Sequence, residues 1–234
     1  VKETQSQFKL PGVPQAKQGR EVPPKWGWTE ASVWTERMLE TLERGIKGGK
    51  WFSLIDKMVR YANDFVLLCQ SENEANEVLE QLRRWVAGAG LTLHPTKTRI
   101  VNASERGGFD FLGYHFERGH RWPRQKSLDK FRETIRQKTG RLRPGSMRDI
   151  TGEVNRTLRG WFEYFKHSLQ NVFEREDKWV RQRLRAILRK RRKGRGRAGG
   201  KDYQRWPNTY FADLGLFSLA IARRQAIQSR KRTH

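Results

Sequence analysis

The sequence has one cysteine, Cys69, among 234 residues. An intramolecular disulfide and a cysteine-rich zinc site are therefore excluded. Cys69 lies in an apolar run and reads as a core thiol. The five histidines are scattered. His94 and His115 have no cysteine or second histidine at ligand spacing, so a turn or core role is preferred to metal binding. No run approaches the roughly 18 apolar residues of a spanning helix, so no membrane partner is expected. The N-terminus is polar and rich in Pro and Gly, without the pattern of a secretory signal. A reducing, cytoplasmic compartment fits. No internal repeat is visible.

Acidic residues are also scarce, and unevenly so. The formal net charge is +24. Residues 1–117 carry 16 Lys and Arg against 15 Asp and Glu, whereas residues 118–234 carry 33 against 10. One half is near neutral and the other is a polycation. Trp, Phe and Tyr are interleaved with the basic residues, which is the electrostatic footprint of a nucleic-acid binder. A merely solubilising surface is the alternative, and the regional bias argues against it.

The periodicity divides the chain. Residues 1–30, with Pro11, Pro14, Pro23, Pro24, Gly12 and Gly19, leave little room for regular structure. Residues 31–44 read as a helix with Val33, Trp34, Met38 and Leu42 on one stripe. Residues 58–69 are two apolar runs around Asn63-Asp64, a hairpin pattern. Ser71 and Glu74 form a capping-box pair ahead of a helix carrying Ala75, Val78, Leu79, Leu82, Trp85 and Val86. Strands at 91–93 and 98–101 flank the turn at His94-Pro95, and 109–116 alternates like a further hairpin. Beyond residue 120 the period is helical. Leu128, Phe131 and Ile135 mark one helix. Met147, Ile150, Val154, Leu158, Trp161, Phe162 and Phe165 mark a second, capped by Ser146. Trp179, Val180, Leu184, Ile187 and Leu188 mark a third. Arg189–Lys201 reads as a basic loop and Phe211–Ile227 as a final helix weakened by Gly215. The fold class is thus α+β, a small hairpin-and-helix unit followed by an all-α region.

Tyr61-Ala62-Asn63-Asp64-Phe65 resembles the aromatic-Ala-Asp-Asp hairpin of reverse transcriptases, in the form used by group II intron-encoded proteins. Residues 91–98, with Lys97, and residues 108–114 resemble the next palm motifs. Asn155-Arg156-Thr157-Leu158-Arg159-Gly160-Trp161-Phe162-Glu163-Tyr164-Phe165 is similar to the maturase-specific signature, and 211–219 to the segment near that domain's end. These four motifs beyond the hairpin, in order, are specific. After the Pro- and Gly-rich N-terminus (1–30), the resemblance implies three regions: a remnant of the fingers start (31–57), a partial reverse-transcriptase palm (58–117), and a basic thumb and maturase region (118–234). It also implies a mobile-element protein of a bacterial cytoplasm.

Two departures matter. Asn63 stands where the family carries its first acidic residue, and an amide is a weaker ligand for a hard cation than a carboxylate. In addition, Asp56-Lys57 runs straight into Met58. Members of the family carry most of the fingers and palm there, including the early strand with its metal-binding Asp. The chain therefore resembles an internally deleted member. No endonuclease domain is visible at its C-terminal side.

The candidate sites follow. Asn63 and Asp64 are a remnant polymerase site, with Asp64 a metal ligand or simply a polar tip residue; the resemblance implies Mg2+ there and in the RNA partner, and the protein's own role requires no cofactor. Lys97 meets a phosphate or is a solvated loop lysine. Arg156 and Arg159 face RNA, or Arg159 pairs with Glu163. Tyr164 lies off the apolar stripe and is a stacking candidate, whereas Trp161 and Phe165 read as core. Arg181, Arg185, Arg189, Lys190, Arg191, Arg192, Lys193, Arg195 and Arg197 are the strongest signal for nucleic acid, because no acidic residue occurs between Trp179 and Lys201. The reading is a maturase-like protein that binds group II intron RNA and assists its folding and splicing without polymerase activity. An RNA-directed DNA polymerase completed by another chain, a full-length relative or a second copy, is one alternative. A decayed fragment is another.

Overall fold

The structure is a computed structural model; it describes residues 2–9, 55, 57–61, 64–88, 92–196 and 198–232. The helix expected over 31–44, Asn63 and Arg197 lie outside the described residues. The chain forms two compact units that divide between Phe109 and Asp110.

The first unit is a sheet with a helix on it. Its strands are β1 (Lys2–Lys9), β2 (Lys57–Tyr61), β3 (Asp64–Cys69), β4 (Thr92–Leu93) and β5 (Arg99–Asn102). The order is β2-β3-β1-β4, with β5 also on β1. The helix α1 (Glu72–Gly88) follows β3. Its N-terminus is closed as the sequence predicts: Glu74 N donates to Ser71 Oγ, and Ser71 N to the Glu74 carboxylate. Alternate residues of β3, Phe65, Leu67 and Cys69, are fully buried and share one core with Ala75, Val78, Leu82 and Val86 of the helix. The Phe, Leu and Val side chains among them each contribute about 1.5–3 kcal/mol when taken out of water.

β1 departs from expectation. Lys2–Lys9 fall in the stretch whose Pro and Gly content argues against regular structure, yet they form the central strand, antiparallel to β3 on one side and to β4 and β5 on the other. The reason is local. The eight residues contain neither Pro nor Gly, which begin only at Pro11. Residues 2–9 thus fill the place between the hairpin and β5. In its register Gln7 lies opposite Asp64.

The division falls after the first residue of a three-stranded sheet, β6 (Phe109–Phe111), β7 (Tyr114–Glu117) and β8 (His120–Pro123), the rest of which belongs to the second unit. Both connections are two-residue turns with φ > 0 at both positions, Leu112-Gly113 (47° and 78°) and Arg118-Gly119 (52° and 73°), the geometry that suits a tight hairpin. β8 was not legible beforehand, because Pro123 and the flanking glycine mask so short a strand. Three long helices follow: α2 (Gln125–Lys138), α3 (Met147–Phe165) and α4 (Gln170–Arg191). Phe131 and Ile135, Val154 and Leu158, and Phe173, Val180 and Leu184 meet in one core. α4 runs to Arg191, so part of the expected basic loop is helix.

The final helix expected over 211–227 is two helices. After the short α5 (Gly200–Arg205) come α6 (Asn208–Asp213) and α7 (Leu219–Arg232). Gly215, at φ 79°, makes the break. Asn155 holds it from α3: its Nδ2 donates to Gly215 O at 2.7 Å, and its Oδ1 accepts from Phe217 N at 2.8 Å. Asp177 of α4 then caps α7, accepting from Ser218 Oγ, Leu219 N and Ala220 N.

Candidate nucleic-acid interface

The basic face grows out of the helical core. Glu176 is fully buried on α4 and takes a two-pronged contact from Arg132, at 2.9 and 2.6 Å. That contact raises the pKa of the Arg132 guanidinium. Beside it Asp177 fixes α7. Two adjacent buried acids thus lock α2, α4 and α7 together. The sequence carried a signal for this: Glu176 and Asp177 interrupt the apolar spacing between Phe173 and Val180, where an unpaired charge is costly.

With the scaffold fixed, the candidate cations divide into two groups. Arg185 is only 2 % exposed. Its Nε donates to Trp206 O and its Nη2 to Asn208 Oδ1, both at 2.8 Å, and its guanidinium lies against the rings of Tyr203 and Phe211. Burial lowers its pKa. It was grouped with the RNA-facing residues, but this geometry makes it a core residue. Arg189 pairs with Asp202 and donates to Arg195 O. Arg181 is half-buried, 3.9 Å from Asp177. Arg191 is exposed but donates to Arg143 O and Gly145 O. Lys190, Arg192, Lys193 and Arg195 are exposed around the end of α4. These four and Arg191 form the outward basic cluster.

The signature stretch on α3 is chiefly architectural. Leu158, Phe162 and Phe165 are buried, and Trp161 stacks on Phe131 with centroids 4.5 Å apart. Arg156 is exposed, while the Arg159 guanidinium covers the Phe217 ring at 4.7 Å. Glu163 pairs with Lys166, at 2.9 Å, rather than with Arg159. Tyr164 is exposed, yet its hydroxyl donates to Leu112 O and its carbonyl accepts from Tyr114. It thereby ties α3 to the β6–β7 turn.

In the first unit, Lys97 is exposed in the turn closed by Thr98 N donating to His94 O. Asp64 opens β3, and its Oδ1 is buried without a hydrogen-bond partner among the described residues. An orphaned carboxylate oxygen is what a cation would accept. Among the described residues, however, no group of three or more His, Cys, Asp or Glu stands together as a metal site. A two-metal centre needs several fixed carboxylates, so the described residues do not make one up.

Two family models match the chain. "Reverse transcriptase (RNA-dependent DNA polymerase)" covers residues 18–116, and "Group II intron, maturase-specific domain" covers residues 128–206. The chain belongs to the group II intron reverse transcriptase and maturase family. No curated protein matches it. The maturase-specific match spans α2 to α5 and the basic cluster at the end of α4. Such a domain implies binding to group II intron RNA. Among the described residues no helix is long and apolar enough to cross a membrane.

Proposed function

We propose that this group II intron maturase relative acts by gripping folded intron RNA with its helical unit, assisting folding and splicing, and that its reverse-transcriptase portion does not polymerise. The observation that carries the reading is the outward cluster of Lys190, Arg191, Arg192, Lys193 and Arg195 at the end of a helix anchored by buried acids. No acidic residue occurs between Trp179 and Lys201 to neutralise it. Phosphates supply that counter-charge, and release of their counterions drives binding. The RNA brings its own Mg2+ and performs the transesterifications; the protein contributes no catalytic group. Asn63 in place of an acid, the direct run of Asp56-Lys57 into Met58, and Gln7 opposite Asp64 support loss of polymerisation.

The test compares affinity for a group II intron RNA and for an unrelated structured RNA of equal length across a salt series. Preference for the intron that persists at higher salt is the expected result. Equal affinities that collapse together would assign the chain to non-specific polycations. A second reading, a polymerase completed by another chain, rests on the unpartnered Asp64 oxygen. Magnesium-dependent primer extension that disappears in Asp64→Ala would establish it in place of the first.

A further inference from the structure

The most exposed of the large apolar side chains among the described residues is Leu142, at 80 %. A lone exposed leucine is ordinary on a protein surface. The turn that carries this one is not. Arg143 N donates to Gly140 O at 3.0 Å, closing a four-residue turn with Arg141 and Leu142 at its two corners. Arginines from α4 pin the backbone on both sides. At the entry, Arg183 donates through Nε to Thr139 Oγ1 (3.1 Å) and through Nη2 to Thr139 O (2.9 Å). At the exit, Arg191 donates through Nη2 to Gly145 O (2.6 Å) and Arg143 O (3.2 Å). The Arg143 side chain itself pairs with Glu153 of α3. A loop fixed in this way presents an apolar side chain whose backbone ordering is complete before any partner arrives.

The surroundings define that partner's charge. Arg136 and Arg141 lie near enough to Arg183 to depress its pKa, after the larger effect of burial, and Glu133 is the one carboxylate acting the other way. Glu133 already pairs with Arg136, at 3.3 Å. The turn is thus an apolar tip set in excess positive charge. A polyanion with apolar faces fits it, and unpaired RNA bases beside their phosphates are such a surface.

We propose that the turn between α2 and α3 is a preformed RNA contact, in which Leu142 packs on an unstacked base and Arg141 holds the adjoining phosphate. The inference rests on the RNA-binding reading above and adds an element outside the maturase signature, joined to the basic cluster through Arg191. Its test is the affinity of the full chain for a group II intron RNA, with Leu142→Ala, Leu142→Met and Arg141→Gln. Leu142→Ala should weaken binding roughly tenfold without changing its salt dependence, because no charge is lost. Leu142→Met should retain most of the affinity. Arg141→Gln should weaken binding and reduce the salt slope by about one ion. Neither Leu142 variant should move the thermal midpoint, because that side chain is 80 % exposed. If the wild-type chain prefers the intron RNA but Leu142→Ala binds equally well, the inference falls and the RNA-binding reading stands. A lowered midpoint in Leu142→Ala would make the residue a packing element and also overturn the inference. If the wild-type chain shows no preference for the intron RNA, both readings fail.

Discussion

At the scale of single residues, the molecule depends on a few acids placed against many bases. Glu176 has no exposure and holds Arg132 by two bonds. Glu176→Gln keeps the shape but leaves Arg132 without its counter-charge, and loss of one partner of a buried pair costs about 3 kcal/mol or more. Urea unfolding should show that loss as a lowered midpoint with an unchanged slope; an unchanged midpoint would mean the pair contributes nothing net. Asp202 gives a pH dependence of known sign. It accepts from Gly199 N and pairs with Arg189, and these contacts hold its carboxyl below the usual carboxylate range, led by the backbone hydrogen bond. A carboxyl whose pKa is depressed by folding stabilises the fold above its unfolded value, about pH 4, and loses that stabilisation as pH falls through the folded value. Asp202→Asn should therefore lower stability at neutral pH and flatten its decline below about pH 4. Parallel acid-unfolding curves for the two proteins would refute the assignment.

At the scale of elements, β1 makes the strongest claim, since it sits between β3 and β5. Thr4→Pro removes a backbone donor from a central strand, where proline is not accommodated. Hydrogen exchange should then report loss of protection in Phe65–Leu68 and Ile100–Val101, with α3 and α4 unchanged. Retained protection would show that β3 and β5 do not depend on this strand. The same element marks the limit of what sequence reveals. The α3 helix was legible because Met147 to Phe165 repeat at 3.6 residues over five turns, and its Ser146–Asp149 capping box lies within four residues of sequence. β1 has no apolar alternation, and its partners lie more than 50 residues away. The site divides in the same way. The exposed cations at the end of α4 follow from local composition alone. Arg185 looks identical to them in sequence, and its partners, the Trp206 carbonyl and Asn208, are more than 20 residues downstream. The Gly215 break was half visible: the glycine weakened the predicted helix, but the Asn155 side chain that fixes it comes from 60 residues earlier.

At the scale of the whole molecule, charge sets folding and binding against each other. Residues 118–234 carry 33 Lys and Arg against 10 Asp and Glu, so at low ionic strength this region repels itself when compact. Salt screens that repulsion over a Debye length of about 10 Å at 0.1 M. The thermal midpoint of the RNA-free protein should therefore rise as salt increases from about 0.02 to 0.3 M. RNA affinity should fall over the same interval, because each phosphate contact gives up its counterion release. The two trends have opposite signs and one cause. Replacing Arg192, Lys193 and Arg195 by Ser, which touches the outward cluster and spares the buried Arg185, should weaken both: a smaller rise in midpoint with salt and a shallower loss of RNA affinity. If the triple variant kept the wild-type affinity and salt slope, the grip on phosphate would have to be assigned to another face. If it lost RNA binding while its midpoint still rose with salt as in the wild type, the repulsion would be seated elsewhere in the helical unit. The cluster would then serve binding alone.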